Sequence, residues 1–471
     1  MQHDHVAAIV LAAGDGKRLK SAAPKVLHHA AGRALLVHVL AALEPLALGQ
    51  VVVVASARKA EIEAEVDRAG LAQRVDYAIQ HPPRGTADAV RCGLEVVSDA
   101  VRHVFVLSGD SPLVTTETLA AFLDRHLEVE PAASLVTATL DDPAGYGRIL
   151  RRADGALERI VEERDATDQE RAVEEVSMGA YVFEAGALRK ALPRVTPDNA
   201  QNEYYLTDVI GILLADGGAV ESFAAPADHS RGVNSRAQLA EAGRLLRERA
   251  AQRWMDEGVT IVDPATTHID AGVTIGADAT ILPFTFLEGT TEVGSGAQLG
   301  PQVRVVDSVI GAGAEVSFAV VRGSEIGEGA TVGPFASVRP GTRLGKRSRI
   351  GTFVETKQTT IADDSKANHL AYLGDATIGS GVNVGAGTIT CNWDGREKHA
   401  TVIEDDAYIG SDTMLVAPAH IGKRAATGAG SVVKGDVPDD SLAVGVPARV
   451  IEGRGNKMGR SRDSAGEERG E

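Results

Sequence analysis

The sequence predicts a two-part fold, a doubly wound α/β domain followed by an all-β parallel β-helix. Three observations carry this. Between Val6 and Thr139, very apolar strand segments alternate with helical ones, the pattern of a mostly parallel sheet covered by helices on both faces. From Ile269 to Val433 an aliphatic residue returns at every sixth position, whereas a helix needs a period of about 3.6 and an ordinary strand about 2. Fixed six-residue self-similarity is the mark of a β-helix. The 51 glycines and an aromatic content of only 4% suit the narrow interior of such a coil.

In the first domain VAAIVLAAG, QVVVVAS, RVDYAIQ, HVFVLSGD and ASLVTATL read as strands. ALLVHVLAALEPLA, ARKAEIEAEVDRAG, GTADAVRCGLEVVS and TTETLAAFLDRHLEV read as the helices between them. Asp141 to Gly232 is less regular and is expected to extend this domain over its site. Arg236 to Gly258 is a charged amphipathic helix. The expected organisation is therefore an α/β domain over 1–235, a linker helix over 236–262, the β-helix over 263–452 and a disordered polar tail over 453–471.

The repeat keeps one register through Ile269, Ile275, Ile281, Leu287, Val293, Leu299 and Val305. It resumes in a second register through Ile326, Val332, Val338, Leu344 and Ile350, and in a third through Ile403, Ile409, Leu415 and Ile421. Each hexapeptide makes one short side of a triangular coil with its aliphatic residue inward. The repeat is expected to break between Thr356 and Ala376 and again from Cys391 to Ala400.

With 48 basic against 65 acidic side chains the formal charge is −17, which argues against a general nucleic-acid surface. Two cysteines give no disulfide framework. The opening MQHDHVAAIVLAAG lacks the basic segment and long apolar run of a secretory leader, and no stretch approaches a membrane span. A cytoplasmic protein is expected.

Ligands of doubly wound sheets bind outside the carboxyl ends of the strands, here Leu11–Gly16, Gln80–Thr86 and Ser108–Asp110. Gly14 and Gly16 let the backbone turn its amides toward a phosphate, and Arg18 and Lys25 add fixed positive charge. Two glycines after a first strand can equally make only a tight turn. The compound pattern, G-x-G-x-R followed by Pro24-Lys25, is more specific.

In the coil, the first break holds K-A-N-H-L-A-Y-L-G-D, with His369 and Tyr372, and the second C-N-W-D-G-R-E-K, with Asn392 and Lys398. Interruptions in a regular scaffold are where function is usually carried. A lone histidine is more often structural than catalytic. Here Arg339, Lys357 and Lys398 supply charge fit for a sugar phosphate, and Glu355 is available to orient an imidazole.

L-A-A-G-x-G-x-R…P-K resembles the signature of the sugar-nucleotide pyrophosphorylases. With the hexapeptide array, the chain from Val6 to about Val450 resembles the GlmU family of bifunctional N-acetylglucosamine-1-phosphate uridylyltransferases and glucosamine-1-phosphate acetyltransferases. The resemblance implies a nucleotidyltransferase domain and a left-handed β-helix. It also implies a homotrimer that makes UDP-N-acetylglucosamine, a precursor of peptidoglycan and lipopolysaccharide, from UTP, glucosamine-1-phosphate and acetyl-CoA. It places Leu11, Ala12, Ala13, Gly14, Lys25, Gln80, Gly85, Thr86, Ser108 and Gly109 around the nucleotide. Gly147, Glu162 and Ser177 fall on the sugar, with NAQNEYYLTD (199 to 208) beside it, and Asp110 and Asn234 on Mg²⁺. In the second half it makes His369 the general base and gives Asn392 the developing oxyanion. Arg339, Lys357 and Lys398 take the phosphate, Tyr372 and Asn383 the sugar, and Ala386, Asn392, Trp393, Ser411 and Ala429 the CoA. The chain departs from the pattern at Lys17, usually Thr; at Ser177, usually Asn; at Trp393, usually Tyr; and near Val446, where Arg449 stands closest to the usual Arg. A pyrophosphorylase whose β-helix only assembles or regulates is the alternative activity, and a trimerisation scaffold the non-enzymatic one. Neither has a use for His369, Asn392 and the basic set.

Overall fold

The computed structural model describes residues 3–14, 16–229 and 231–455. From residue 456 on, the expected tail lies outside the described residues. The chain forms two compact units, Met1–Leu246 and Arg247–Glu471, which divide inside the helix Arg236–Asp256.

The first unit is built on a nine-stranded sheet. Its strands, in chain order, are β1 (His3–Ala12), β2 (Leu48–Ala55), β3 (Asp76–Ile79), β4 (His103–Ser108) and β5 (Ala133–Thr139), then β6 (Gly147–Arg151), β7 (Leu157–Val161), β8 (Glu175–Glu184) and β9 (Val220–Ala224). They run in the order β9-β5-β8-β4-β1-β2-β3, with β6 on β8 and β7 on β6. β1 lies parallel between β4 and β2, and β3 continues parallel beyond β2. β8 is antiparallel to both β4 and β5.

The pleat explains why β1 is apolar throughout. Val6, Ala8, Val10 and Ala12 pack into one core and Ala7 and Ile9 into the other, so both faces are buried as doubly wound sheets require. Helices α1 (Leu35–Leu43), α2 (Lys59–Ala69) and α4 (Thr116–Val129) contribute to the first core, and α3 (Thr86–Leu94) to the second. Ala242 and Leu245 on the first half of the helix Arg236–Asp256 pack with Leu35, Leu113 and Val233.

Among the described residues the second unit is one coiled sheet of 28 strands, most of only two residues and the last of them antiparallel. In the first coils each strand pairs parallel with the strand three further on, as His268–Ile269 does with Phe286–Leu287; where one long strand replaces two short ones the partner is two further on. Three rungs therefore make a turn. In the first coils equivalent residues are 18 apart, as Phe284 is from Thr266. Further on the spacing falls to 16, as between Ser324 and Ser308. These shortened coils are why the six-residue register shifts between Val305 and Ile326. The aliphatic column is fully buried, with Ile281, Leu287, Leu299 and Val305 all at 0% exposure.

The first expected break is not an interruption. Ile361, Ala367 and Leu373 continue the inward column. What changes is strand length: Arg349–Lys357 and Lys366–Gly374 are nine-residue strands that pair directly. Small inward Ala367 hid the continuity. The second expected break is a loop, closed by a bridge between Trp393 and Lys398. Among the described residues no helix is long and apolar enough to cross a membrane.

Candidate functional sites

At the carboxyl ends of β1, β3 and β4 opens a cleft of about 680 Å³. Leu11, Ala13, Gly14, Arg18, Lys25, Gln80, Gly85, Thr86, Ser108, Asp110, Glu162 and Asn234 line it. Gly147 and Ser177 line an adjoining hollow of about 280 Å³ that shares Asp110, Glu162 and Asn234. Ala12 and Gly109 line neither. Ala12 points into the core, and Gly109 donates its N–H to Leu11 O at 2.9 Å, tying β4 to β1.

Two glycines are required by geometry. Gly16 has φ +60°, and a Cβ there would lie 2.6 Å from Lys25 Cβ. Gly85 has φ +113°, and its Cβ would lie 2.5 Å from Tyr204 O. A side chain at either would strain the backbone and displace a neighbour.

The cations and oxygens of the cleft meet at one point. Lys25 Nζ forms an ion pair with Asp110 Oδ2 and donates to Asn234 Oδ1 at 2.6 Å. Arg18 donates to the same Asn234 oxygen at 3.0 Å. Ser108 donates to the other Asp110 oxygen at 2.7 Å, and Val233 N–H to Asp110 O at 2.9 Å. Residues at the start, middle and end of the first unit are thus fixed on one ammonium.

Deeper, Thr207 donates to Glu162 Oε1 at 3.1 Å. Burial, opposed by that hydrogen bond and aided by the charges of Asp208, Asp165 and Glu203, holds the Glu162 carboxyl above its ordinary range. Ser177 is engaged with Tyr181 OH at 2.8 Å. Gly145, Glu163 and Arg164 also line the cleft; they lie in the same short segments as Gly147 (GYGR, 145–148) and Glu162 (RIVEER, 159–164), the signal that could have found them.

On the coil, the basic residues assemble on one side. Ser337, Glu355, Tyr372 and Ile389 stack on successive turns, and Lys357 lies beside Gly374. Arg339 donates to Glu355 at 2.6 Å. Lys398 lies so close to Lys357 that it lowers the Lys357 pKa, with Arg339 adding to the effect. Asn392 Nδ2 donates to Asp375 at 2.5 Å and, at 3.4 Å, to Tyr372 OH. Gly374 makes room for this pair, since a Cβ there would lie 2.4 Å from Tyr372 OH.

Within the chain Glu355 is held by Arg339, not by His369. The register puts His369 beside Thr352 and Glu355 beside Tyr372. Asn383 stands apart from the basic cluster, between Lys366 and Tyr408.

His369, exposed, belongs to a different ladder. It precedes Leu370, a left-handed corner residue at φ +33°. Ala386, Ser411 and Ala429 each precede the left-handed residue of a later corner, Gly387, Asp412 and Gly430. Gly387 N–H bonds Leu370 O, Asp412 N–H bonds Ala386 O, and Gly430 N–H bonds Ser411 O. These four residues therefore climb one edge of the prism. Trp393 is 57% exposed on the loop beyond the basic cluster.

A doubly wound sheet whose nucleotide-type cleft carries a glycine turn and two fixed cations is a nucleotidyl transferase domain, and residues 7–260 match the nucleotidyl transferase family. The likeness extends over both units. The chain is 44% identical to the bifunctional protein GlmU of Desulfitobacterium hafniense strain Y51, across 93% of this chain and 96% of that protein. It is 46% identical to that of Heliobacterium modesticaldum (93% and 94%) and 47% identical to that of Streptomyces avermitilis (93% and 91%). The chain belongs to the GlmU family of bifunctional enzymes.

Proposed function

We propose that the protein makes UDP-N-acetylglucosamine in two steps at two separate sites, acting in the cytoplasm as a homotrimer. Acetyl-CoA first acetylates glucosamine-1-phosphate on the coil; UTP then uridylylates the product in the cleft. Family membership supports the pairing of activities. The observation that carries the reading of the coil is its layout: a cluster of three cations lies on one side, and a histidine stands on the adjoining small-residue edge.

In acetyl transfer, Arg339, Lys357 and Lys398 hold the sugar phosphate and Tyr372 the ring. Two ammonium groups crowded together, with Lys357 depressed by its neighbour, gain from a dianion between them. His369 takes a proton from the sugar amine as the nitrogen attacks the thioester carbonyl, and the CoA thiolate leaves. Ala386, Ser411 and Ala429 leave the edge free of bulk for CoA, with Trp393 packing against it. Asn392 gives up its long bond to Tyr372 to meet the developing oxyanion, while Asp375 keeps its amide oriented.

In uridylyl transfer, an oxygen of the sugar phosphate attacks the α-phosphorus of UTP and pyrophosphate leaves. Arg18 and Lys25 offset the charge that develops there. Asp110 and Asn234 fit Mg²⁺: both present oxygen, the donor this hard ion prefers, and the Lys25 ammonium already occupies the point where they converge. Among the described residues no set of three or more His, Cys, Asp or Glu could hold a metal, so nucleotide phosphates and water would complete its shell. When bound, the ion supplies charge neutralisation along the triphosphate. Glu162 and Ser177 face the acetylated sugar.

The test is a coupled assay with glucosamine-1-phosphate, acetyl-CoA, UTP and Mg²⁺, each left out in turn. UDP-N-acetylglucosamine should form only in the full mixture. Acetylated sugar phosphate should still accumulate without UTP. Failure to acetylate while uridylylating supplied N-acetylglucosamine-1-phosphate would reduce the protein to a pyrophosphorylase.

A further inference from the structure

We propose that Asp88, although it lies off the substrate path, sets the base specificity of the nucleotide cleft by fixing which end of the Gln80 amide faces the base. This rests on the reading of the cleft as a uridine-nucleotide site and identifies a positioning residue within it.

Gln80 sits at the end of β3, 3% exposed, and lines the cleft. Its Nε2 donates to Gly85 O at 2.9 Å and to Asp88 Oδ2 at 2.9 Å. A carbonyl and a carboxylate are acceptors only, so the nitrogen must face both, and chemistry alone settles the orientation of this amide. Both N–H groups are spent. Among the described residues nothing donates to Gln80 Oε1, which leaves it as the polar atom the amide can offer a ligand.

Asp88 is itself fixed. Its side chain is 4% exposed, and Oδ1 accepts from Arg84 at 3.0 Å and from Arg91 at 2.5 Å. The two guanidinium groups hold one carboxylate oxygen and so commit the other to Gln80. The chain Arg84 and Arg91 to Asp88 to Gln80 ends in a carbonyl presented to the cleft. A carbonyl accepts from the imide N–H of uracil. It repels the corresponding ring nitrogen of cytosine, which carries a lone pair there. A buried acceptor left facing an acceptor rejects the wrong base strongly.

Asp88→Asn should loosen the lock. The asparagine oxygen will face the two guanidinium groups, which puts its NH₂ against the Gln80 NH₂, while Gly85 O still accepts from Gln80 Nε2. The amide is then held by one acceptor against one opposing donor, and the turned-over orientation, which offers N–H to the base and suits cytosine, gains population. Asp88→Ala leaves Gly85 O as the one remaining acceptor on the amide.

The test is kcat/KM of the full chain for UTP and for CTP, with N-acetylglucosamine-1-phosphate as acceptor. The UTP:CTP ratio should fall about tenfold in Asp88→Asn, with CTP use rising above wild type. In Asp88→Ala, where Gly85 O alone holds the amide, it should fall about threefold. Melting temperatures report folding. Should Asp88→Asn not fold, the ratio in Asp88→Ala decides. A folded variant that loses UTP and CTP use equally, with an unchanged ratio, overturns the proposal and leaves Asp88 a structural residue. A wild-type enzyme that accepts neither nucleotide overturns the nucleotide reading, and this inference with it.

Discussion

Lys25 and Asp110 form an ion pair at the centre of the nucleotide cleft, and the same ammonium donates to Asn234 Oδ1 at 2.6 Å. A lysine nearly a whole unit away in sequence from Asn234 thus sits where the two oxygens would hold a divalent cation. On the proposed metal site, lysine and metal would compete for them until a triphosphate arrived to take both charges. Lys25→Ala should therefore slow uridylyl transfer by about 10²-fold or more while tightening Mn²⁺ binding to the nucleotide-free protein, read by electron paramagnetic resonance. Weaker Mn²⁺ binding in this variant would show that Asp110 and Asn234 are not the metal ligands.

Asp110→Ala removes one of those oxygens and the partner of Lys25. Uridylyl transfer should be abolished while acetyl transfer on the coil stays near wild type. An unchanged rate and Mg²⁺ dependence would take Asp110 out of the metal site.

His369→Ala should cost acetyl transfer about 10²-fold or more, the usual scale for a general base, with uridylyl transfer unaffected. Full-rate acetylation by this variant would leave His369 a surface residue.

The strands, the glycine turn and the hexapeptide coil were legible because each is local: burial on both faces reads as an apolar run, and a coil reads as its period. The Lys25–Asn234 contact was legible only through resemblance, since nothing in either segment points to the other. β8 escaped the pattern because its burial comes from β4 and β5 on either side, partners distant in the chain. The Arg339–Glu355 pair was missed for a related reason. That coil sets Glu355 beside Ser337, 18 residues away, and Arg339 reaches Glu355 diagonally between turns, a contact no local pattern shows.

Glu162 predicts a pH dependence with a definite sign. Burial raises its pKa, so the folded state favours the neutral acid. The stability this group contributes is whole below the unfolded carboxylate's range and is lost as pH rises through the folded value. Glu162→Gln, fixed neutral, should raise the melting temperature of the first unit at about pH 7.5 and match wild type near the ordinary glutamate value of about 4.3. Thermal melts across that window check it. A destabilised variant at neutral pH would mean that Glu162 is charged and satisfied in the fold.

The last prediction concerns assembly. Phe335, Phe353 and Leu370 follow one another up a corner of the coil, 56%, 61% and 61% exposed, with the two phenylalanine rings stacked at 5.7 Å. Leu370 is next to His369. The same chain leaves Glu355 on Arg339 and sets His369 and Asn383 away from the basic cluster, so the residues expected around one acetylated sugar do not all converge in one copy. Packing coils side by side about a three-fold axis would cover such a corner and bring the separated residues together from neighbouring chains. The alternative is a monomer with each site in one chain, since solenoids can be stable alone. Light scattering at micromolar concentration should give the mass of three chains. Mixing His369→Ala chains with Lys398→Ala chains, each inactive in acetyl transfer by itself, should regenerate intact sites in mixed trimers and restore part of the activity. A monomeric mass together with no recovery on mixing would confine each site to one chain and remove the trimer from the mechanism.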